Sequence, residues 1–272
     1  MSISRTALFF TSTALTLLSA QSSAADLDHN TGVGGVTVSK GEPVEDSVIY
    51  YSGIDTAHHS MYLYQGGVVA LNRDLSKDGF LLKAYSGYAG YQFGSDAGPL
   101  TQGNEVQVDG MLGYQFIRSG ITTSLFVGAD FQVVTTVPKD PTAVPAGRRL
   151  GAKVGVEIET DSDRKFYGNL IGEYSTAFES YWTRGRAGYN FGRFTMGPEA
   201  IAFGNQGFHA ERLGVFATTK LGISKKLPIE LTISGGHQFV NSSSSSGGAV
   251  GDSGGFGGGA GYYLASGMSI SF

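Results

Sequence analysis

The sequence of 272 residues contains no cysteine, one tryptophan and seven prolines, and only 15% of its residues are charged. The absence of cysteine excludes a disulfide framework. The formal net charge of −4 leaves no basic surface for phosphates, so nucleic acid is excluded as a partner. Beyond the N-terminal segment, no stretch approaches the roughly 20 apolar residues of a membrane-spanning helix. Stability must therefore come from packing, or from crossing a membrane with strands.

Glycine and aromatic residues are abundant instead, with 42 Gly, 14 Tyr and 17 Phe. Disordered chains are poor in aromatic residues, so this composition does not indicate disorder. Few charges, many aromatics and much glycine together favour a strand-rich protein.

The N-terminal segment has the organisation of a secretory signal peptide. Arg5 supplies the positive charge, "TALFFTSTALTLL" is too short to span a bilayer as a helix, and small residues follow it. We predict that residues 1–24 form a signal peptide, cleaved after Ala24 or Ala25. Residues 25–46 lack strand-length alternation, and we expect them to form a flexible periplasmic extension.

Apolar and polar residues alternate along the rest of the chain. In "VQVDGMLGYQF", Val106, Val108 and Leu112 alternate with Gln107 and Asp109. No segment has a convincing helical period, and the pattern predicts twelve strands. They lie near residues 47–55, 60–72, 80–93, 105–118, 121–137, 149–160, 166–178, 180–191, 194–204, 209–221, 229–240 and 257–272.

The connections between these strands fall into two groups. Those after even-numbered strands are short to moderate, such as "SG" and "GR", whereas the three long ones, such as "NSSSSSGGAVGDSGGF", follow odd-numbered strands. Transmembrane barrels alternate short periplasmic turns with longer outer loops, which a soluble β-sandwich does not require. We predict an all-β fold, an antiparallel transmembrane β-barrel of about 12 strands (10–14 allowed), over residues 47–272 in the outer membrane of a Gram-negative bacterium. The proline of "GPE" predicts a bulge in one strand.

The last strand alternates up to the final residue. Tyr262, Leu264, Met268, Ile270 and Phe272 share one face, which would contact lipid. Such an ending resembles the signal that the outer-membrane barrel-assembly machinery reads, and we assign that signal to Met268, Ile270 and Phe272. Phe272 would then lie in the aromatic girdle at the periplasmic interface.

The face of each strand opposite the apolar one would point into the lumen. The signs of its charges are mixed, so they form either a structural network or a polar path for a neutral, hydroxyl-rich substrate. The predicted lumen-facing polar residues are Lys83, Asp109, Asp130, Lys153, Glu157, Glu159, Glu173, Arg184, Arg186, Glu199 and Arg212.

Catalytic and cofactor sites are not indicated. His58 and His59 lie at a predicted outer turn, but no acidic residue near them could orient a catalytic histidine. Adjacent histidines on a strand point to opposite faces, which disfavours a metal site. We therefore predict a protein that is not an enzyme and has no cofactor or metal.

Several stretches resemble the cellulose biosynthesis protein BcsS family. They are "FYGNLIGEYSTAFESYWTRGRAGYNFGRF", "GPEAIAFGNQGFHAERLGVF", "VVALNRDLSKDGFLLKAYSGYAGY", "MLGYQF" and the aromatic, glycine-rich last strand. The resemblance runs from about residue 50 to residue 272. It implies an outer-membrane β-barrel associated with bacterial cellulose synthesis and secretion, and it brings no established catalytic or ligand-binding residues.

The resulting hypothesis is a barrel that supports export or surface anchoring of cellulose. Glucan and cellulose-secretion components are the expected partners, besides outer-membrane lipid and the assembly machinery. Candidate glycan contacts are Tyr62, Tyr64, Tyr85 and Trp182, each of which could instead be a packing or girdle aromatic. The alternatives are a general small-solute diffusion channel and a non-conducting structural barrel that docks periplasmic secretion components.

Overall fold

The structure, a computed structural model, describes residues 46–93, 101–137, 145–161, 164–224, 227–241 and 260–272. The predicted signal peptide, and the predicted extension up to residue 45, lie outside these described residues. No helix long and apolar enough to cross a membrane occurs in the described part.

Twelve antiparallel strands close into one barrel, as the alternation predicted. Each strand pairs with its neighbours in sequence, and β1 pairs with β12. The strands are β1 (Val48–Ala57), β2 (Ser60–Ala70), β3 (Gly79–Phe93), β4 (Thr101–Arg118), β5 (Ile121–Val137), β6 (Gly147–Thr160), β7 (Phe166–Ser175), β8 (Tyr181–Asn190), β9 (Phe194–Asn205), β10 (Phe208–Ser224), β11 (Leu227–Asn241) and β12 (Gly261–Ser271).

The two faces of the wall differ as lipid requires. On β4, Val108 and Leu112 are each 49% exposed on the outer face, whereas Asp109, Met111 and Gln115 are buried on the inner face. Because side chains alternate along a strand and cross-strand partners share a face, the register carries this division around the barrel. The apolar exterior and polar interior are those of a membrane-spanning barrel.

Aromatic side chains line one rim of the outer face. This rim is the end of the barrel where β2, β4, β6 and β8 end and β3, β5, β7 and β9 begin, and we call it the short-turn end. Neighbouring ring centroids in the rim are 4.8–5.7 Å apart, which matches an interfacial girdle. The rim contains Phe80, Tyr114, Phe116, Phe166, Tyr189, Phe191 and Phe194.

The final residue takes part in closing the barrel. The backbone N–H groups of Ser47 and Val48 both donate to the carbonyl oxygen of Phe272 at 2.9 Å, and the N–H of Phe272 donates to Val48 at 3.0 Å. These bonds extend the β1–β12 ladder to the last residue of the chain. The Phe272 side chain lies at the short-turn end, on the same face as Met268 and Ile270.

Strand β7 is shorter than predicted. It ends at Ser175, because the following residues turn: Phe178 and Glu179 have positive φ, and the N–H of Ser175 donates to Ser180 at 2.8 Å. Phe178 therefore does not continue the outward face of β7. It is almost fully buried, and the guanidinium of Arg149 lies over its ring.

The predicted bulge at the "GPE" segment is wrong. Pro198 pairs with Val215 on β10 in an unbroken register. On the other side, the pairing of β9 with β8 lapses opposite Pro198 and resumes at Met196 in the same register. Proline has no backbone N–H to donate to a neighbouring strand. The pairing with β8 is therefore lost at this position, while the register of β9 does not shift.

One turn at the short-turn end is tied to the neighbouring strand. Asp78 accepts hydrogen bonds from the backbone N–H of Ile117 at 2.8 Å and from Arg118 at 2.9 Å. These donors, the backbone N–H first, lower the pKa of Asp78 from its ordinary value because they stabilise the carboxylate. The turn is thereby held against β4.

The pairing of β1 with β12, which we call the seam, predicts that the side chain of Phe272 stabilises the folded barrel. Replacing it by alanine (Phe272→Ala) should lower the folded fraction several-fold, because the closing strand loses its interfacial aromatic side chain. Phe272→Tyr keeps an aromatic ring and is the matched control. Folded and unfolded barrel in outer-membrane fractions are separated by gel mobility with and without heating. Equal folded fractions for both variants would contradict the prediction.

Candidate functional site: the barrel lumen

The inner face gathers all the polar residues that the alternation assigned to it. Cross-strand pairs such as Tyr85 with Asp109, Asp109 with Asp130, and Arg186 with Glu199 place them on one face of the wall. Their contacts with one another divide most of them into two clusters.

The lysine cluster joins strands β3, β4, β6 and β7. Lys83 contacts Glu157 at 2.6 Å and Glu173 at 2.7 Å, while Lys153 contacts Asp109 at 2.5 Å and Glu173 at 2.8 Å. The Lys153 and Asp109 side chains are only 4% and 0% exposed. Charges removed from water need partners, and each lysine has two carboxylates.

The arginine cluster joins β8, β9, β10, β11, β12 and β1. Arg186 contacts Glu199 at 2.5 Å, and the hydroxyl of Tyr263 donates to the other carboxylate oxygen of Glu199 at 3.1 Å. Arg212 contacts Asp55 at 2.5 Å and donates to Gln238 at 2.7 Å. Arg212 also lies over the ring of Tyr263, 4.8 Å from its centroid.

Three predicted residues lie outside the clusters, namely Asp130, Glu159 and Arg184, the last of which contacts Asn169 at 3.4 Å. Asp130 is fully buried and accepts hydrogen bonds from Gln107 at 3.2 Å and Gln132 at 2.7 Å. Glu159 accepts a hydrogen bond from the Tyr167 hydroxyl at 2.8 Å, near the short-turn end of β6.

Several of these contacts reach across the interior. Lys83 on β3 meets Glu173 on β7, four strands away, and Arg212 on β10 meets Asp55 on β1, three strands away. Contacts along the wall would join adjacent strands only. The side chains of both clusters therefore extend into the lumen and narrow it.

Three of the four candidate aromatics form a tyrosine ladder, which we define as Tyr62, Tyr64 and Tyr85. The ring centroids of Tyr62 and Tyr64 are 6.0 Å apart, and those of Tyr64 and Tyr85 are 6.4 Å apart, with nearly parallel planes. The hydroxyls of Tyr62 and Tyr85 are hydrogen-bonded, and Lys153 lies 5.4 Å from the Tyr85 ring. The fourth candidate, Trp182, is separate on β8, where Arg184 lies over its ring.

Histidines and metal-binding groups play no part in this arrangement. His58 and His59 lie in the β1–β2 turn at the opposite end from the aromatic rim. Within the described ranges, no three His, Cys, Asp or Glu residues are placed to hold a metal ion.

The model of one protein family, described as cellulose biosynthesis protein BcsS, matches residues 49–272. The chain belongs to the BcsS family of cellulose biosynthesis proteins. No curated protein matches the chain.

Among solved structures, the BcsS barrel is similar to the KdgM porin in complex with disordered oligogalacturonate and to the β domain of the Bordetella autotransporter BrkA. Each is 12% identical with a TM-score of 0.40, and the alignments cover 83% of this chain and 99% and 98% of theirs. The outer-membrane protease OmpT from Escherichia coli is 8% identical with a TM-score of 0.28, covering 84% of this chain and 94% of OmpT.

Sequence reasoning missed several luminal residues of the BcsS barrel. Asp55, the partner of Arg212, lies on β1, where the alternation of apolar and polar residues is weak. Asp55 is four residues after Tyr51, however, and this even spacing on a strand places both side chains on the same face. Glu105, Gln238 and Tyr263 fall on the polar faces of recognised strands, so the same period-two rule would have found them.

Glycine and tyrosine are paired across the inner wall, which accounts for part of the unusual composition. Tyr64 lies against its cross-strand partner Gly53, and Tyr51 against its partner Gly66. A Cβ on Gly66 would come within 2.5 Å of the Tyr51 ring and 2.8 Å of the Ala84 carbonyl oxygen. Only glycine allows these rings to lie flat on the wall.

The close approach of the Tyr51 ring to Gly66 predicts that adding a single methyl group at Gly66 destabilises the barrel. Gly66→Ala should lower the free energy of unfolding by about 1–3 kcal/mol, because the Cβ meets both a ring and a backbone oxygen. Gly110→Ala is the control, since nothing lies within 4 Å of a Cβ there. Urea unfolding of the barrel in detergent micelles measures both. An equal effect of the two substitutions would show that ring packing is irrelevant.

Loss of a lysine from the lysine cluster should destabilise the barrel more than the Gly66→Ala substitution does. Lys153→Met should lower the free energy of unfolding by about 3–5 kcal/mol, because Asp109 would remain buried without a cation. Lys165→Met, at an exposed position between β6 and β7, removes the same charge and should change stability by less than about 1 kcal/mol. The same urea titration compares them, and similar values for the two variants would refute the assignment.

Proposed function

We propose that this BcsS-family barrel acts in the outer membrane of a Gram-negative bacterium and supports the export or surface anchoring of cellulose. Family membership supports the link to cellulose, and the apolar exterior with its aromatic rim supports residence in a bilayer. A predicted signal peptide over residues 1–24 provides the route across the inner membrane. The strand ending in Met268, Ile270 and Phe272 provides the proposed signal for the assembly machinery.

The tyrosine ladder is the observation that carries a direct role with glucan. Three nearly parallel rings on adjacent strands β2 and β3 present an aromatic surface inside the barrel. Sugar rings combine apolar C–H faces with hydroxyl edges, so aromatic faces and neighbouring polar groups suit them. The lysine cluster supplies those polar groups beside Tyr85.

The luminal ion pairs favour anchoring or guided contact over free diffusion. A wide pore needs an unobstructed lumen, whereas both clusters here cross it. The two clusters therefore weigh against a general diffusion channel. The remaining alternative is a closed structural barrel that docks periplasmic secretion components, and the paired, buried charges suit such a rigid body.

Surface cellulose in cells tests the proposal. Deleting the gene should reduce cellulose at the cell surface, and restoring it should return the parental amount. Dye binding to intact cells and released glucose after cellulase treatment measure the amount. Unchanged surface cellulose, under conditions where the parent makes it, would refute the role in cellulose export or anchoring.

A ladder variant separates glucan contact from a docking role. The double substitution Tyr64→Leu and Tyr85→Leu should lower surface cellulose at least several-fold if the rings hold glucan. Tyr114→Leu, on the outer face, is the control for loss of a tyrosine. If only the deletion reduces cellulose, while the folded ladder variant does not, the docking role replaces the contact role. A large conductance indifferent to cello-oligosaccharides would instead indicate a diffusion channel.

A further inference from the structure

Arg184 differs from the other predicted luminal cations. Lys83, Lys153, Arg186 and Arg212 each contact at least one carboxylate. Arg184 lies on the same inner face but forms no ion pair with any residue in the described part of the chain. A partly buried guanidinium without a counter-charge is unfavourable, because desolvation is not offset.

The hydrogen bonds of Arg184 are also incomplete. Its Nε is buried and has no hydrogen-bond partner within the described ranges, and its one amide contact, to Asn169, is long at 3.4 Å. Two carboxylates, Glu199 and Glu159, act on Arg184 electrostatically without forming an ion pair with it. Arg186 and Tyr263 occupy the two oxygens of Glu199, and Glu159 accepts a hydrogen bond from Tyr167. Among the described residues, neither carboxylate therefore lies in direct contact with the guanidinium of Arg184.

The neighbours of Arg184 increase the positive potential and leave the guanidinium oriented. Arg186 lies two residues along on the same face and acts as a like charge. The guanidinium lies over the Trp182 ring, 5.4 Å from its centroid, which restricts its orientation. The hydroxyl of Tyr64 lies within electrostatic range and can donate a hydrogen bond, whereas that of Tyr167 already donates to Glu159.

We propose that Arg184 is the centre of an oxyanion-binding site in the barrel lumen. The ligand is a carboxylate or phosphate group on a small solute or on a glycan, which the planar fork of guanidinium donors fits in two-point contact. Trp182 forms one wall of the site. Arg184 would bind such a group whether or not the barrel contacts cellulose.

Trp182 reports on this site directly, because it is the only tryptophan in the chain. The purified barrel in detergent is titrated at constant ionic strength with sodium glucuronate, sodium phosphate and glucose, and Trp182 emission is recorded. A saturable change with either anion, absent with glucose, is expected. The anion that binds more tightly distinguishes a sugar-acid source from a phosphate source. No saturable change with either anion, or an equal change with glucose, would overturn the site.

Matched variants assign the binding to Arg184. Arg184→Gln should weaken anion binding about ten-fold or more, which corresponds to the loss of a charge-assisted contact. Arg149→Gln removes a luminal-face cation elsewhere and should leave binding within about two-fold. Equal weakening of anion binding in both variants would indicate that the overall positive potential of the lumen binds the anion, and it would overturn the assignment of the site to Arg184.

A stability measurement gives a second readout. Saturating anion should raise the thermal unfolding midpoint of the wild-type barrel and not that of Arg184→Gln. If the glutamine variant does not fold, Arg184→Lys keeps the charge but loses the planar fork, and it should also bind more weakly. A lysine variant with unchanged affinity would overturn the two-point contact.

Discussion

The closure of β1 onto β12 is the constraint on which the rest of the structure depends. Lipid offers no hydrogen bonds, so every backbone N–H and C=O of a spanning strand needs a partner within the protein. The seam meets this demand up to the last residue, where Phe272 exchanges hydrogen bonds with Val48. Closure also fixes which face is outside, since a slip of one residue would turn every apolar side chain inward.

Once the apolar face is committed to lipid, the polar face must be accommodated in a confined lumen. The barrel does so by pairing charges across the interior, as between Lys83 and Glu173, and by laying tyrosine rings on glycines, as with Tyr51 on Gly66. The first solution stabilises the charges without bulk water, and the second keeps bulky rings close to the wall. The abundance of glycine and tyrosine is therefore partly a consequence of closure around a polar interior.

Period-two alternation was enough to predict the twelve strands, because it reflects a local property of the backbone. It does not show which luminal groups meet: Lys83 and Glu173 are 90 residues apart, and their contact depends on strand order, tilt and side-chain reach. Phe178 was misplaced for a different reason, since a turn with positive φ interrupts an alternation that continues in the sequence. Pro198 was misread because a proline can omit one hydrogen bond without displacing a strand.

The distribution of charge around the lumen gives the two proposals a common physical basis. The lysines meet carboxylates on the β3–β7 side, where Glu173 contacts both Lys83 and Lys153 and Asp109 contacts Lys153. On the β8 side, Arg184 and Arg186 share the field of Glu199, whose oxygens are already occupied. A molecule in the lumen therefore meets aromatic and acid-rich groups along one part of the wall and, on β8, a guanidinium that has no ion pair among the described residues. A neutral glucan would contact the tyrosine ladder alone, whereas a chain or solute carrying an anionic group would also be oriented by Arg184.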